Sequence, residues 1–140
     1  MSEEGRSGRL QPINPADWGA PSGYSNGILA PTGGRLLFVA GQIGWDNEQR
    51  IVGESFVDQF EQALANLLAV VREAGGDPTD VARLTIFVAD REEYLARLRD
   101  IGKAYRNQMG RHFPAMSLVE VAALLEPGAK VEIEATAVLP

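Results

Sequence analysis

The sequence contains no cysteine and a single histidine, His112. Disulfides, thiolate metal sites and a cysteine nucleophile are therefore excluded, and one histidine cannot build a histidine-rich zinc or iron site within one chain. A lone histidine more often forms a structural hydrogen bond than takes part in chemistry. Because no disulfide signal points to an oxidising compartment, we take the cytoplasm as the default location.

Long apolar runs and an excess of positive charge are also missing. No apolar stretch approaches the roughly 18 residues of a membrane helix, and the first six residues lack the apolar core of a secretory signal. The chain has 13 Lys and Arg against 19 Asp and Glu, which gives a formal net charge of -6. This balance argues against a protein that binds mainly the phosphate backbone of nucleic acid. We therefore expect a soluble protein that binds neither membranes nor nucleic acid.

The length of 140 residues fits one domain. Residues 1–10 are polar and glycine-rich, which predicts a flexible N-terminal tail followed by a single domain over residues 11–140. Apolar residues at three- and four-residue spacing predict a helix over residues 56–74 and a second helix from Asp90 onward. Runs of apolar residues predict five strands, over residues 22–30, 35–41, 81–89, 116–122 and 130–138. A turn at residues 31–34 is expected to join the first two strands as a β-hairpin.

The predicted element order is β-β-α-β-α-β-β, which indicates an α+β domain with two helices on one face of one sheet. Residues 36–40 and 84–89 are apolar at both odd and even positions, as in strands that are buried on both faces. Two helices can cover only one of those faces. A second copy of the chain is the simplest cover for the other, so we expect a homo-oligomer.

Few residues stand out as candidates for chemistry, because the common nucleotide-binding, hydrolase and metalloprotease motifs are absent. Glu132 and Glu134 alternate with apolar residues on the last strand and therefore share one face. A solvated strand face is the ordinary explanation for such a pair. Tyr24, Gln42 and Trp45 lie at predicted strand ends, where a pocket wall and an ordinary rim are both compatible with the pattern. These residues alone do not define a substrate.

Four segments resemble the RidA/YjgF/YER057c/UK114 family. They are Gly23-Tyr24-Ser25, Phe38 to Ile43, Phe113 to Val121 and Val131 to Ala135, and their order and spacing match over about residues 12–140. The resemblance implies a chorismate-mutase-like fold and a homotrimer, in which the sheets form a central trimeric barrel and small molecules bind in clefts between subunits. It also implies hydrolysis of a reactive enamine or imine to a carbonyl compound and ammonia, with no metal or organic cofactor.

The resemblance assigns roles to individual residues of this chain. It implies that Glu132 positions the attacking water and that Tyr24 lines the cleft, so both are expected as catalytic residues. Gly41 and Gln42 match the loop that bounds the cleft, and we expect Phe87 among the substrate-binding residues.

The sequence departs from the family where relatives carry a carboxylate-binding arginine, since this position is Met116. Methionine is apolar and cannot replace a charged hydrogen bond, which is worth roughly 1.5–3 kcal/mol. Leu118, two residues further along the strand, projects to the same side and adds apolar surface. Ala40 and Gly102 stand where relatives often have serine and asparagine. We therefore expect Met116 and Leu118 to bind an apolar or aromatic group rather than a carboxylate.

Two functions remain open at this point. The first is RidA-like deamination of an enamine or imine that carries an apolar or aromatic recognition group. The alternative is a non-catalytic small-molecule-binding or regulatory trimer of the same fold, which the loss of several polar site residues favours. Ribonuclease and chaperone activities have been attributed to some relatives, but the acidic charge and the lack of a histidine pair argue against RNA cleavage.

Overall fold

The computed structural model of the chain describes residues 9–31 and 33–140. In these ranges the strands are β1 (Gln11–Ile13), β2 (Gly27–Leu29), β3 (Arg35–Ile43), β4 (Val81–Val88), β5 (Ala115–Glu120) and β6 (Val131–Leu139). The helices are α1 (Phe56–Glu73), α2 (Arg91–Leu95) and α3 (Leu98–Met109), and a short 3-10 turn at Pro78–Asp80 precedes β4. None of these helices combines the length and apolarity needed to cross a membrane.

The main sheet has the strand order β3-β6-β4-β5. Strand β6 pairs antiparallel with both β3 and β4, whereas β4 and β5 run parallel. Helices α1 and α3 pack against each other, and α1 also packs on β3 and β6. Their apolar stripes meet the inward side chains of the sheet in one core, in which Leu64, Leu67, Leu84 and Ile133 are at most 1% exposed. The prediction of an α+β domain with two main helices on one face of a mixed sheet is confirmed.

Helix α1 begins and ends where its sequence predicts. The Ser55 hydroxyl accepts a hydrogen bond from the Asp58 amide at 3.2 Å and caps the first turn. The helix stops before Gly75, whose φ of 94° lies in the left-handed region that glycine adopts without a steric penalty. These two signals frame the apolar stripe and explain why the predicted bounds agree with the structure.

The second predicted helix is interrupted. The Asp90 side chain caps α2 by accepting from the amides of Glu92 and Glu93, and α2 ends after one turn. Arg97 then leaves the helical conformation, with φ -125° and ψ 24°, and α3 starts at Leu98. The sequence pattern hides this break, because the apolar spacing from Tyr94 to Leu98 is also that of an unbroken helix.

The predicted hairpin of residues 22–30 and 35–41 is wrong. Strand β2 pairs antiparallel with β1 in a separate two-stranded sheet, and β3 pairs instead with β6. Pro12 lies in the middle of β1, which is compatible with an edge strand because proline lacks the amide hydrogen of a central strand. Strands β2 and β3, which follow each other in the chain, therefore belong to two different sheets.

The start of the described chain is attached to the domain. Of the predicted flexible tail, residues 1–8 lie outside the described ranges. Leu10 is buried, and the Arg9 guanidinium contacts the Asp80 carboxylate and the Val138 carbonyl. The last two residues of the predicted tail thus pack on the domain.

One face of the sheet is covered by the helices and the opposite face, called here the open face, is not. On β3, Val39 points into the core and is 4% exposed, whereas its neighbour Phe38 on the open face is 74% exposed. Leu36 is also mostly exposed on this face. The apolar residues on both sides of β3 are therefore not both buried within one chain.

Candidate functional site

The site residues expected from the sequence divide between the two faces of the sheet. Met116 on β5 lies opposite Leu84 of β4, which is buried under the helices, so Met116 is on the helix face. Glu132 on β6 lies opposite Phe87 of β4. Because Phe87 is three residues after Leu84 in the same strand, Phe87 and Glu132 are on the open face. Within one chain, Glu132 and Met116 are therefore not in one cleft.

Glu132 lines a cavity of about 240 Å³ at the end of β3, called here the acid pocket. Its lining residues are Gly41, Gln42, Ile43, Trp45, Asn66, Leu125, Glu126 and Glu132. The expected residues Gly41, Gln42 and Glu132 are thus brought together, and Phe87 is the cross-strand neighbour of Glu132. Glu134 shares the face of Glu132 but is exposed and lies outside this pocket.

The Glu132 side chain lies directly against the backbone of Gly41. A methylene group added to Gly41 would be 2.8 Å from the Glu132 carboxyl carbon, which is closer than van der Waals contact allows. The register between β3 and β6 shifts at this point, between Val39 and Gln42, as in a β-bulge. Bulges bend a strand and re-aim its side chains, and they are frequent beside functional sites. The bulge and the missing side chain of Gly41 together make room for the carboxylate.

Gln59 of α1 fixes Lys130, which directly precedes β6 and lies two residues before Glu132. It is completely buried, and its Oε1 accepts a hydrogen bond from the Lys130 amide at 2.8 Å. Its Nε2 donates to the carbonyls of Gly53 and Gly128 at 2.7 and 3.0 Å. A buried amide with these hydrogen bonds holds two loops and the first residue before β6 in one arrangement.

Asn66 performs a similar role on the other side of the acid pocket. Its Nδ2 donates to the carbonyls of Ile43 and Trp45, at 3.1 and 2.9 Å, and its Oδ1 accepts from Gln62. Asn66 is one turn of α1 from Gln62, so this pair projects from the helix toward the end of β3. The sequence pattern of α1 did not reveal the positioning roles of Asn66 and Gln59, because amide side chains on a helix are usually solvated.

Met116 lines a second cavity, of about 340 Å³, between β5 and helices α2 and α3, called here the aromatic pocket. Tyr94, Tyr105 and Phe113 contribute aromatic rings to its wall. Leu118 lies opposite the buried Ile86 on the same side of the sheet as Met116, as predicted from its spacing, although it is not part of the pocket lining. The surroundings of Met116 are thus predominantly apolar.

Tyr105 is a hydrogen-bonded wall of the aromatic pocket rather than an available acid. Its ring stacks on Phe113 with centroids 5.5 Å apart, and its hydroxyl donates to the His112 carbonyl at 2.6 Å. Burial raises the pKa of Tyr105 far above the ordinary value of 10.0. The His112 ring is 2.7 Å from the Val81 carbonyl through Nε2, which agrees with the structural role expected for a lone histidine.

Arg106 is a residue of the aromatic pocket that the sequence analysis did not single out. It projects from α3, and its Nη1 would be 3.1 Å from a methylene group added to Gly102, four residues earlier. A glycine four residues before an arginine in a helix is a visible signal, because such residues share one helix face. Whether such an arginine lines a pocket depends on where β5 packs, and the residue pattern of the helix does not show that.

Tyr24 is placed beside β5 but in neither pocket. Its neighbour Ser25 forms a bridge to Ala115, and the Ser25 hydroxyl donates to the Phe113 carbonyl at 2.6 Å. Tyr24 itself is 41% exposed, whereas Ser22 and Gly23 line the aromatic pocket. Within one chain, the structure does not bring Tyr24 to Glu132.

A family model described as Endoribonuclease L-PSP matches residues 17–139. The chain belongs to the RidA/YjgF/YER057c/UK114 family. A human relative named 2-iminobutanoate/2-iminopropanoate deaminase is 31% identical over 121 residues, which cover 86% of this chain and 82% of the relative. The RutC family protein y4sK of Sinorhizobium fredii is 38% identical, with 90% of this chain and 95% of the relative covered.

The structural comparison agrees with this RidA-family assignment. The crystal structure of YyfB from Yersinia pestis, a Rid-family protein of unknown function, superposes with a TM-score of 0.83. The two chains are 36% identical, and the match covers 94% of this chain and 99% of YyfB. The predicted chorismate-mutase-like fold is confirmed.

Proposed function

We propose that this RidA-family chain hydrolyses a reactive imine or enamine to a carbonyl compound and ammonia. The observation that carries the proposal is the Glu132 carboxylate, which lies in the acid pocket against Gly41 at the position that the family pattern assigns to water activation. The names of the human and goat relatives, both 2-iminobutanoate/2-iminopropanoate deaminase at 31% and 34% identity, support the same reaction class.

The reaction needs one carboxylate that can hold and deprotonate water. Glu132 accepts a proton from water while the water oxygen bonds to the imine carbon, and the π electron pair of the C=N bond moves to nitrogen, which takes up a proton. In the resulting carbinolamine the hydroxyl proton passes to the nitrogen, the C–N bond breaks so that ammonia leaves with the bonding electron pair, and an oxygen lone pair forms the C=O bond of the product. General base catalysis of this kind typically contributes about 10²–10⁴-fold to the rate.

The recognition group of the substrate is apolar or aromatic in this proposal, rather than a carboxylate bonded to the imine carbon. Met116 occupies the position of the family arginine and lines the aromatic pocket together with Tyr94, Tyr105 and Phe113. A carboxylate placed against Met116 would lose its solvation without gaining a charged hydrogen bond from this position. Imines derived from simple amino acids are therefore expected to be poor substrates.

A homotrimer completes the site in this proposal. Glu132 and Met116 lie on opposite faces of the sheet of one chain, so a shared cleft requires Glu132 of one chain and the aromatic pocket of another. The exposed Leu36 and Phe38 on the open face, at 62% and 74%, provide apolar surface for such contacts. In the same arrangement, Tyr24 of one chain can line the cleft that contains Glu132 of another chain.

The experiment compares Glu132→Gln with Glu134→Gln, a control on the same strand and the same face. Imines are generated in situ by oxidation of the parent amines, and ammonia release is followed. Glu132→Gln should lower kcat at least about 100-fold and change the ligand dissociation constant little, whereas Glu134→Gln should behave as wild type. Sedimentation of the same preparations should give three times the 15.1 kDa mass of the chain.

The substrates in this assay are 2-iminobutanoate and neutral imines with an aromatic group. Faster turnover of the neutral set would support the role of Met116, and faster turnover of 2-iminobutanoate would contradict it. Ligand binding without any turnover, in wild type and in Glu132→Gln alike, would identify the chain as the non-catalytic binding protein instead.

RNA cleavage, which the description of the family model names, is not proposed for this chain. The net charge of -6 disfavours binding to a phosphate backbone. The single histidine is bonded through Nε2 to the Val81 carbonyl and lies in neither pocket.

A further inference from the structure

The aromatic pocket combines an apolar wall with one cationic group. Of its twelve lining residues, all within the described ranges, Arg106 is the one that carries a charge. Its volume of about 340 Å³ is within the range of sites for small ligands, which typically join an apolar wall to a few polar groups that fix orientation. The position of the Arg106 guanidinium therefore decides which ligands the pocket accepts.

The Arg106 guanidinium is folded back along helix α3. Its Nη1 and Cζ lie 3.1 and 3.9 Å from the point where a side-chain carbon of Gly102 would begin. The backbone of Gly102 does not itself need glycine, since its φ is not positive. Glycine in a helix interior lowers helix stability relative to alanine, and its missing side chain lets the guanidinium lie a few tenths of an ångström closer to the helix than alanine would.

The Arg106 side chain leans toward the start of α3, which is the usual direction for a long helical side chain. Arg106 lies in the last turn of α3, where a cation can interact with the terminal carbonyls. Its guanidinium lies instead beside Gly102, one turn toward the start of the helix. Within residues 9–31 and 33–140, the Arg106 guanidinium has no hydrogen bond or ion pair, and only the backbone of Arg106 is bonded, its carbonyl accepting from the Gly110 amide. Its five donors thus remain available to an anion next to the aromatic wall.

We propose that the aromatic pocket binds a small carboxylic acid with an aromatic or aliphatic body. The carboxylate pairs with the Arg106 guanidinium, and the body packs on Met116, Tyr94 and Phe113. A guanidinium matches a carboxylate with two parallel hydrogen bonds, which favours this anion over a neutral group of the same shape.

This inference deepens the proposed function and does not depend on it for its test. If the aromatic pocket forms part of the imine site, as proposed above, the preferred substrates carry an apolar or aromatic body with a carboxylate remote from the imine carbon. Binding is measured without turnover, so a failure of the binding prediction and a failure of the deaminase proposal are distinguishable.

The test is a calorimetric titration of the full chain with 3-phenylpropanoate and with its neutral analogue 3-phenylpropanamide. Wild type should bind the acid about three- to tenfold more tightly than the amide, a modest range because Arg106 is exposed and its charge is screened by solvent. Arg106→Gln should bind both compounds equally, with the affinity for the amide unchanged. Arg99→Gln, which alters an exposed arginine of the same helix outside the pocket, should behave as wild type.

Gly102→Ala separates the position of the guanidinium from its presence. The added methyl carbon would lie 3.1 Å from Nη1, so the guanidinium must shift by a few tenths of an ångström and the preference for the acid should fall. The melting temperature should rise, because alanine favours the helix. If Gly102→Ala lowers the preference for the acid and raises the melting temperature, misfolding cannot explain the weaker preference. Equal binding of acid and amide by wild type, no binding of either, or a preference that survives in Arg106→Gln would overturn the proposal.

Discussion

Replacement of Gln59 by methionine tests whether one buried amide organises the approach to Glu132. Methionine has a similar length and volume and a flexible side chain, so Gln59→Met leaves little cavity in the core. It removes the three hydrogen bonds that Gln59 makes to the Lys130 amide and to the carbonyls of Gly53 and Gly128. The Lys130 amide is then left without this acceptor at the start of β6.

The expected loss follows from the number of hydrogen bonds and their burial. A hydrogen bond typically contributes about 1 kcal/mol net, so three of them predict a decrease of about 3 kcal/mol in the free energy of unfolding. For a chain of this size, such a decrease corresponds to a melting temperature lower by about 10 °C. Gln108→Met is the control, because Gln108 is more exposed and donates one hydrogen bond, to the Glu61 carbonyl.

Urea denaturation at a fixed chain concentration measures both variants, since the stability of an oligomer depends on concentration. The Gln59→Met midpoint should shift strongly with an unchanged slope, and Gln108→Met should lose less than about 1 kcal/mol. A Gln59→Met protein within about 1 kcal/mol of wild type would refute the view that this amide fastens β6 in place. A large loss in the control variant would equally show that the effect is not specific to Gln59.

Two further predictions concern the acid pocket and the loop beside it. Gly41→Ala should lower kcat/KM about 100-fold, because the new methyl group displaces the adjacent carboxylate, while Gly27→Ala, where a methyl group meets its neighbours at ordinary distances, should keep its activity. The amides of Arg50 and Glu48 donate to Asp46 and hold the pKa of its carboxyl below the usual value of about 3.8. The resulting stabilisation is present above the unfolded-state pKa and is lost as the pH falls through the lower folded-state pKa. Asp46→Ala should therefore increase the hydrogen-exchange rates of the amides of residues 48 and 50 at pH 6, as measured by NMR. At a pH low enough to protonate Asp46 in wild type, the exchange rates of the variant and of wild type should be equal. Equal exchange rates already at pH 6 would contradict this prediction.

Helix α1 and the strands of the main sheet could be predicted because their signals are local. The Ser55 cap, the apolar stripe and Gly75 lie within one stretch of sequence, and each points to the same bounds. The partner of β2 could not be predicted in this way. Neighbouring strands joined by a turn usually form a hairpin, and only the packing of the whole chain shows that β3 pairs with β6, about a hundred residues later.

The candidate site shows a similar limit. Alternation along one strand correctly placed Glu132 with Glu134 and Met116 with Leu118. It did not show that these two pairs lie on opposite faces, because that relation depends on how β4 lies between β5 and β6. Arg106 was not predicted as a pocket residue for a related reason, since the position of the neighbouring strand decides whether an arginine on a helix lines a pocket.

The central position of β6 also has a consequence for how the protein is made. Strand β6 lies between β3 and β4, and Arg35 pairs with Leu139, so the sheet cannot close until residues 131–139 have left the ribosome. Until then the nascent chain exposes the edges of β3 and β4, and the acid pocket that contains Glu132 is not formed. Glu132 therefore reaches its place beside Gly41 only after β6 has been synthesised and inserted between β3 and β4, and exposed strand edges of this kind favour association between incompletely folded chains.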